Sequence, residues 1–346
     1  MPLRPHSDHP LRPRDQRRSR PRDHRPLRPR RNRLTRTLFA VLVAASVVLP
    51  VAGAATPADV PAPAPTALGP LRDASPAALA GRYAASRADI RAAQRMAAGH
   101  GDHRRAAALR AMADPARHFL SFDGRDGGRG AEVFGDLSSA VRIAVLVPGS
   151  DTSLDHYGRL RSGARALRRE LGDGSAVIAW LGYRTPSTVS PDVLTTETAD
   201  DAVPALRSFV TEVRAARPAA RMSLLCHSYG SVVCGRAASE VDVADIVLYG
   251  SPGAGADSVS ALRTRATVWA GRGGADWIAD VPHTRLWTPL ATLGLGADPV
   301  SPGFGARVFP SGDGGHSDYL TSGSVALANI ARIAAGQAPT GEVRHA

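Results

Sequence analysis

The chain has 346 residues and a formal charge of +12 at pH 7, but residues 1–36 alone carry 13 arginines against three acids. The remainder, with 30 basic and 28 acidic side chains, is close to neutral, which excludes a folded domain bearing the basic stripe that nucleic acid requires. Two cysteines exclude a disulfide-dense scaffold, and 43% apolar residues exclude disorder over most of the chain.

Residues 1–54 read as an Arg-rich n-region followed by a signal peptide or anchor. Leu38 to Leu49 is an apolar run (LFAVLVAASVVL), and Ala52-x-Ala54 after it has the small-residue pattern of a cleavage site. The stretch from Leu38 to Ala55 is short for a membrane span and contains Pro50. The expected location is therefore secreted; an uncleaved segment would leave the protein anchored with the rest of the chain outside. Residues 55–74 read as a Pro/Ala linker.

Residues 75–118 predict an N-terminal helical segment. Ser75-Pro76 is an N-cap followed by proline at the first helical position, and Leu79, Tyr83, Ile90 and Met96 are its sparse apolar anchors. Gly99-His100-Gly101 breaks it, and a second helix is expected from Asp102 to about Met112. A brace beside the sheet is the favoured role, with a lid over an active site as the alternative.

Residues 119–340 predict the catalytic domain. Eight short β-rich runs occur at Phe119–Asp123, Glu132–Phe134, Arg142–Val147, Ala176–Trp180, Met222–Cys226, Asp245–Tyr249, Thr267–Ala270 and Arg307–Phe309. Leu154, Tyr157, Leu160, Ala164, Leu167 and Leu171 recur at helical spacing, as do the apolar residues of 202–216 and 325–333. The first two strands are close enough for a hairpin; the later ones alternate with helices, which requires crossovers and a mostly parallel sheet.

The chemistry-bearing stretch is Cys226-His227-Ser228-Tyr229-Gly230, where a β-run ends and a helix of small residues begins. A serine on such a turn projects its hydroxyl above the sheet, provided the positions two before and two after are small. Gly230 meets that need; Cys226 stands where glycine is usual. A serine hydroxyl needs a base, and the base needs an orienting acid, in the chain order serine, acid, histidine. His316, in the glycine-rich loop after the last strand, is the expected base, ahead of His283 and the tail residue His345. Asp276, in the loop after Thr267–Gly271, is the expected acid, with Asp257, Asp280 and Asp298 as rivals. The oxyanion donors are expected to be the amide of Tyr229 and that of Ser150 or Asp151, in the Pro148-Gly149-Ser150 turn.

The order of elements, the 226–230 turn, Gly250-Ser251-Pro252-Gly253 and Gly315-His316-Ser317-Asp318-Tyr319 resemble the α/β-hydrolase superfamily. More narrowly they resemble an actinobacterial domain-of-unknown-function family of serine α/β-hydrolases. The resemblance covers about residues 75–335. It implies a mostly parallel sheet of about eight strands flanked by helices, and a Ser228, Asp276, His316 triad.

Other residues have plainer readings. Cys226 and Cys234 are either a disulfide beneath the turn or two buried thiols. His227 reads as a packed, hydrogen-bonded core residue, and His156 and Tyr157 as pocket lining or helix surface. Trp269, Trp277 and Trp287 read as core or as an acyl-binding wall. No cofactor is expected, and no His/Cys/Asp group has metal-ligand spacing. The expectation is a serine hydrolase, carboxylesterase or lipase-like, acting on a small-molecule or lipid-like ester, with no nucleic-acid partner and membrane contact only through an uncleaved N-terminal segment. Amide cleavage, envelope acyl transfer and non-catalytic binding are the alternatives.

Overall fold

The computed structural model describes residues 61–283, 286–287 and 292–341. The 1–54 segment, the first part of the linker and His345 lie outside the described residues, as does the side chain of Trp287. Among the described residues no helix is long and apolar enough to cross a membrane.

Eight strands form one sheet: β1 (His118–Asp123), β2 (Arg129–Gly135), β3 (Arg142–Val147), β4 (Ser175–Leu181), β5 (Arg221–His227), β6 (Asp245–Tyr249), β7 (Thr267–Gly271) and, after a small separate hairpin, β10 (Arg307–Val308). Their order is β1-β2-β4-β3-β5-β6-β7-β10. β2 runs antiparallel to both β1 and β4, and the pairings from β4 to β10 are parallel. The hairpin, β8 (Leu286–Trp287) with β9 (Thr292–Leu293), was not foreseen from the sequence. Its strands are too short to show a period.

The central strands are apolar at nearly every position because both faces are covered. Alternate residues supply two cores. Ile143, Val145 and Val147 of β3, with Met222, Leu224 and Cys226 of β5, face one core; Ala144 and Leu146 of β3 and Leu225 of β5 face the other. The first core is closed by helices α4 (Glu197–Ala216), through Leu206, Val210 and Val213, and α5 (Gly230–Ala237), through Val232 and Val233. The second is closed by α3 (Gly158–Leu171) and α6 (Val325–Ala334), through Leu167, Leu327 and Ile330.

Helices α1 (Pro76–Gly99) and α2 (His103–Met112) start where the capping residues indicate: Ser75 accepts from the Ala78 amide and Asp102 from the Arg105 amide. α1 wraps the β1 edge, contributing Leu79 to the first core and Ile90, Ala93 and Ala97 to the second. Met96 is only half-buried, so the small residues Ser86, Ala93 and Ala97 carry the contact in its place. Two further expectations are corrected. Leu154 and Tyr157 are buried, but in turns before α3 begins. The β6–β7 crossover has only the short 3-10 turn Ser260–Leu262 rather than a helix, because the intervening chain lacks an apolar period.

Glu132 is buried in the second strand and accepts from two guanidinium nitrogens of Arg117, Nε at 2.7 Å and Nη2 at 2.8 Å, with Arg161 at 3.4 Å. Removing one partner strands a buried charge. Arg117→Met should therefore lower unfolding free energy by about 3 kcal/mol. Urea titration checks this, and a change within about 0.5 kcal/mol of wild type would contradict it.

Candidate active site

The site forms at the carboxyl ends of the parallel strands. Ser228 follows β5 directly and has a φ of +54°. Its amide donates to the Tyr249 carbonyl at 3.1 Å, and α5 begins two residues later. The turn is feasible because its neighbours lack side chains. A Cβ at Gly230 would lie 2.5 Å from the Val147 carbonyl oxygen, and one at Gly149 would lie 2.6 Å from Ser228 Cβ. Cys226 faces the first core and is bonded to Cys234 of α5, with the Cα atoms 6.4 Å apart. The strand and helix flanking the turn are thus covalently joined.

Ser228 Oγ lies 2.9 Å from His316 Nε2. On the other side of the ring, His316 Nδ1 lies 2.9 and 3.1 Å from the two Asp276 oxygens. This geometry makes Nδ1–H the donor to the carboxylate and leaves Nε2 to accept the serine proton. Asp276 is buried and accepts two more hydrogen bonds, from Tyr319 Oη at 2.6 Å and from the Ile278 amide at 2.9 Å. Tyr319 Oη is itself fixed by the Gly273 amide at 2.9 Å. Burial pushes the Asp276 carboxyl up, but the bonds from His316, Tyr319 and Ile278 outweigh it and hold the group below the usual carboxylate value.

The rivals stand elsewhere. Asp298 pairs with Arg272 at 2.8 Å, Asp280 is exposed, and His283 Nδ1 donates to the Pro252 carbonyl at 3.0 Å. Asp257 takes no part in the Ser228–His316–Asp276 contacts. Of the two amides weighed beside Tyr229, that of Asp151 is committed to the Pro186 carbonyl at 3.1 Å. Ser150 is left as the candidate donor, and its buried Oγ has no partner among the described residues.

Ser228 opens into a cleft of about 910 Å³. One wall is apolar, with Val193, Leu194, Trp277, Ile278, Val281 and Leu295; the other carries Ser150, Thr152, Ser153, His156 and Arg159. The tryptophans divide: Trp269 is core, its indole N–H on Asp245 at 3.2 Å, whereas Trp277 is half exposed in the cleft, 4.7 Å from the His316 ring. No lining residue comes from 75–118, but α2 reaches the polar wall: Arg105 grips Asp155 at 2.7 and 2.8 Å, and Arg104 meets His156 Nε2 at 3.1 Å.

Two contributions escaped the sequence reading, whereas His227 is the packed, hydrogen-bonded residue expected. Tyr319 had no assigned role, because a tyrosine three residues after a histidine carries no pattern of its own. The β4–α4 loop, which supplies Thr185, Pro186, Thr188, Val193 and Leu194, was passed over. Its signal was available: a long aperiodic connection in a compact domain is usually functional. His227 supports His316 by donating Nε2–H to its carbonyl at 2.7 Å.

A family model described as alpha/beta hydrolase matches residues 123–286. The fold is that of the α/β hydrolases. Among curated relatives of this chain is the uncharacterized protein Rv2079 of Mycobacterium tuberculosis, 31% identical over 63% of the chain. Another is the uncharacterized protein Rv0963c of the same organism, 34% identical over 34% of the chain. The chain spans 38% of the length of the first and 50% of the second. Among solved structures, the serine hydrolase without lid XC6422 of Xanthomonas campestris aligns at 19% identity and a TM-score of 0.42, over 64% of this chain and 94% of that one. Esterase PE8 aligns at 14% identity and a TM-score of 0.39, over 59% and 96%.

Burial among the rings of Tyr249, Tyr319 and His316 pulls the His227 imidazole down from 6.5 to about 4. Between those values the unfolded chain binds a proton that the folded chain does not, so stability should fall as pH is lowered through that window. His227→Gln retains an N–H for the His316 carbonyl but does not titrate. Thermal unfolding from pH 7 to pH 4 should show a shallower loss in the variant; parallel profiles would contradict the assignment.

Proposed function

We propose that this hydrolase is an exported serine esterase working through an acyl-enzyme. The observation that carries the reading is the continuous chain of short contacts from Ser228 Oγ through His316 to buried Asp276. Ser228 Oγ attacks the ester carbonyl as His316 Nε2 takes its proton. The negative charge that builds on the carbonyl oxygen is met by the Tyr229 and Ser150 amides. His316 then gives its proton to the departing alcohol. In the second half-reaction His316 takes a proton from water, the hydroxide attacks the acyl carbon, and Ser228 is released with its proton restored. Asp276 holds the imidazole in the tautomer this requires and offsets its transient positive charge.

The apolar wall of the cleft favours the acyl chain of a carboxylic ester, and half-exposed Trp277 beside His316 gives that chain a flat surface to lie against. Export is supported by the pattern of the first 54 residues and by the Cys226–Cys234 bond, which suits an oxidising compartment.

Purified enzyme should turn over 4-nitrophenyl butyrate. Ser228→Ala should lower kcat at least about 1,000-fold, and Asp276→Asn by about 10³–10⁴-fold with little change in KM. Equal activity of wild type and Ser228→Ala would overturn the reading. N-terminal sequencing of protein recovered from culture medium should begin at Ala55; retention of the upstream residues with the cell membrane would replace secretion by anchoring.

A further inference from the structure

Behind the Ser228 turn lies a second pocket, of about 300 Å³, that the steps above do not use. It joins the main cleft at Gly149, Thr152, Arg159 and His227, which line both. One wall is a face of α3, where Arg159, Ser162 and Arg169 recur near helical spacing; the other is the segment after His316, with Ser317, Thr321 and Ser322.

The positive charge in this pocket has no acid among the lining residues. Arg105, Arg117, Arg221 and Arg272 are each paired with a carboxylate. Among the described residues Arg159 and Arg169 have no such partner; Arg169 donates only to the Ser322 hydroxyl, at 3.1 Å. No residue lining the pocket is Asp or Glu. Two guanidiniums, a set of hydroxyls and no acid are the chemistry that receives a carboxylate or phosphate. The Arg159 charge also reaches the site itself, where it opposes protonation of His227.

The pocket's position selects the part of the substrate that would enter it. The leaving oxygen must lie at His316 Nε2, which returns the proton, and Ser317 and Tyr319, just beyond His316, line this pocket. The apolar wall of the main cleft remains for the acyl chain. We propose that the substrate is an ester whose alcohol portion carries an anionic group, held by Arg159 and Arg169 in this second pocket. The proposal deepens the esterase reading and rests on it for the orientation of the substrate.

The test compares 4-nitrophenyl butyrate with 3-carboxy-4-nitrophenyl butyrate, which share an acyl group and differ by one carboxylate on the alcohol. In Arg159→Gln and Arg169→Gln the ratio of kcat/KM for the anionic over the neutral ester should fall about tenfold, the effect of losing one charge-assisted contact. The wild-type ratio should also shrink in about 0.5 M NaCl. A ratio unchanged by both substitutions overturns the proposal, as does an equal fall with mono-(4-nitrophenyl) glutarate, whose carboxylate is on the acyl side. Calorimetry on Ser228→Ala gives a readout that needs no turnover: 5-hydroxy-2-nitrobenzoate should bind more tightly than 4-nitrophenol, and Arg159→Gln should abolish the difference. Equal binding of the two overturns the anion pocket. A binding preference in an enzyme inert toward both esters would instead overturn the esterase reading and leave the pocket standing.

Discussion

Ser228 sits in left-handed backbone conformation, with a φ of +54°, at the junction of β5 and α5. A non-glycine residue there costs on the order of 1–3 kcal/mol and persists only when its surroundings over-determine it. The surroundings do so here. β5 is hydrogen-bonded on both sides within the sheet, the Ser228 amide is held by the Tyr249 carbonyl, and a disulfide ties Cys226 to Cys234 across the turn. The crossing is so close that only glycine fits at 230, under the Val147 carbonyl, and at 149, against Ser228 itself. The hydroxyl's projection towards His316 is therefore a consequence of how the sheet and α5 pack. A Gly230 side chain would disturb the site through the backbone alone.

Electrostatics continue what the turn begins. A chain of donors runs from the Gly273 amide to Tyr319, from Tyr319 to Asp276, and from His316 to the same carboxylate. Each link fixes the next, and buried Asp276 stays ionised because three donors share its two oxygens. His227 remains uncharged within its ring cluster and uses its one N–H to fix the His316 backbone. The histidine beside the serine thus holds the His316 loop, and the α2 helix holds the polar wall of the cleft through Arg104 and Arg105.

The fold was legible where burial imposes a period. All eight strands of the main sheet were foreseen to within a few residues at each end, because continuous apolar runs such as 142–147 and 222–226 have few other uses. The turn at 226–230 was legible for a steric reason, and the carboxylate and imidazole loops because they follow β7 and precede the last helix. What escaped notice lacked a period: the β8–β9 hairpin, the β4–α4 loop with Val193 and Leu194, and the part played by Tyr319, which depends on a contact between residues 43 apart. Met96 shows the opposite failure, since a large apolar residue on a helix was given a place that alanines occupy.

The proposed chemistry requires that the Ser228 hydroxyl be made nucleophilic by His316. Peptide mapping by mass spectrometry after treatment with a fluorophosphonate measures this directly, since cleavage at Arg221 and Arg236 isolates Ser228 on a single peptide. The expected result is one phosphonyl adduct, localised by fragmentation to Ser228 in the wild-type protein and absent from His316→Ala. An adduct on another residue, or one that forms on Ser228 at the same rate without His316, would contradict it.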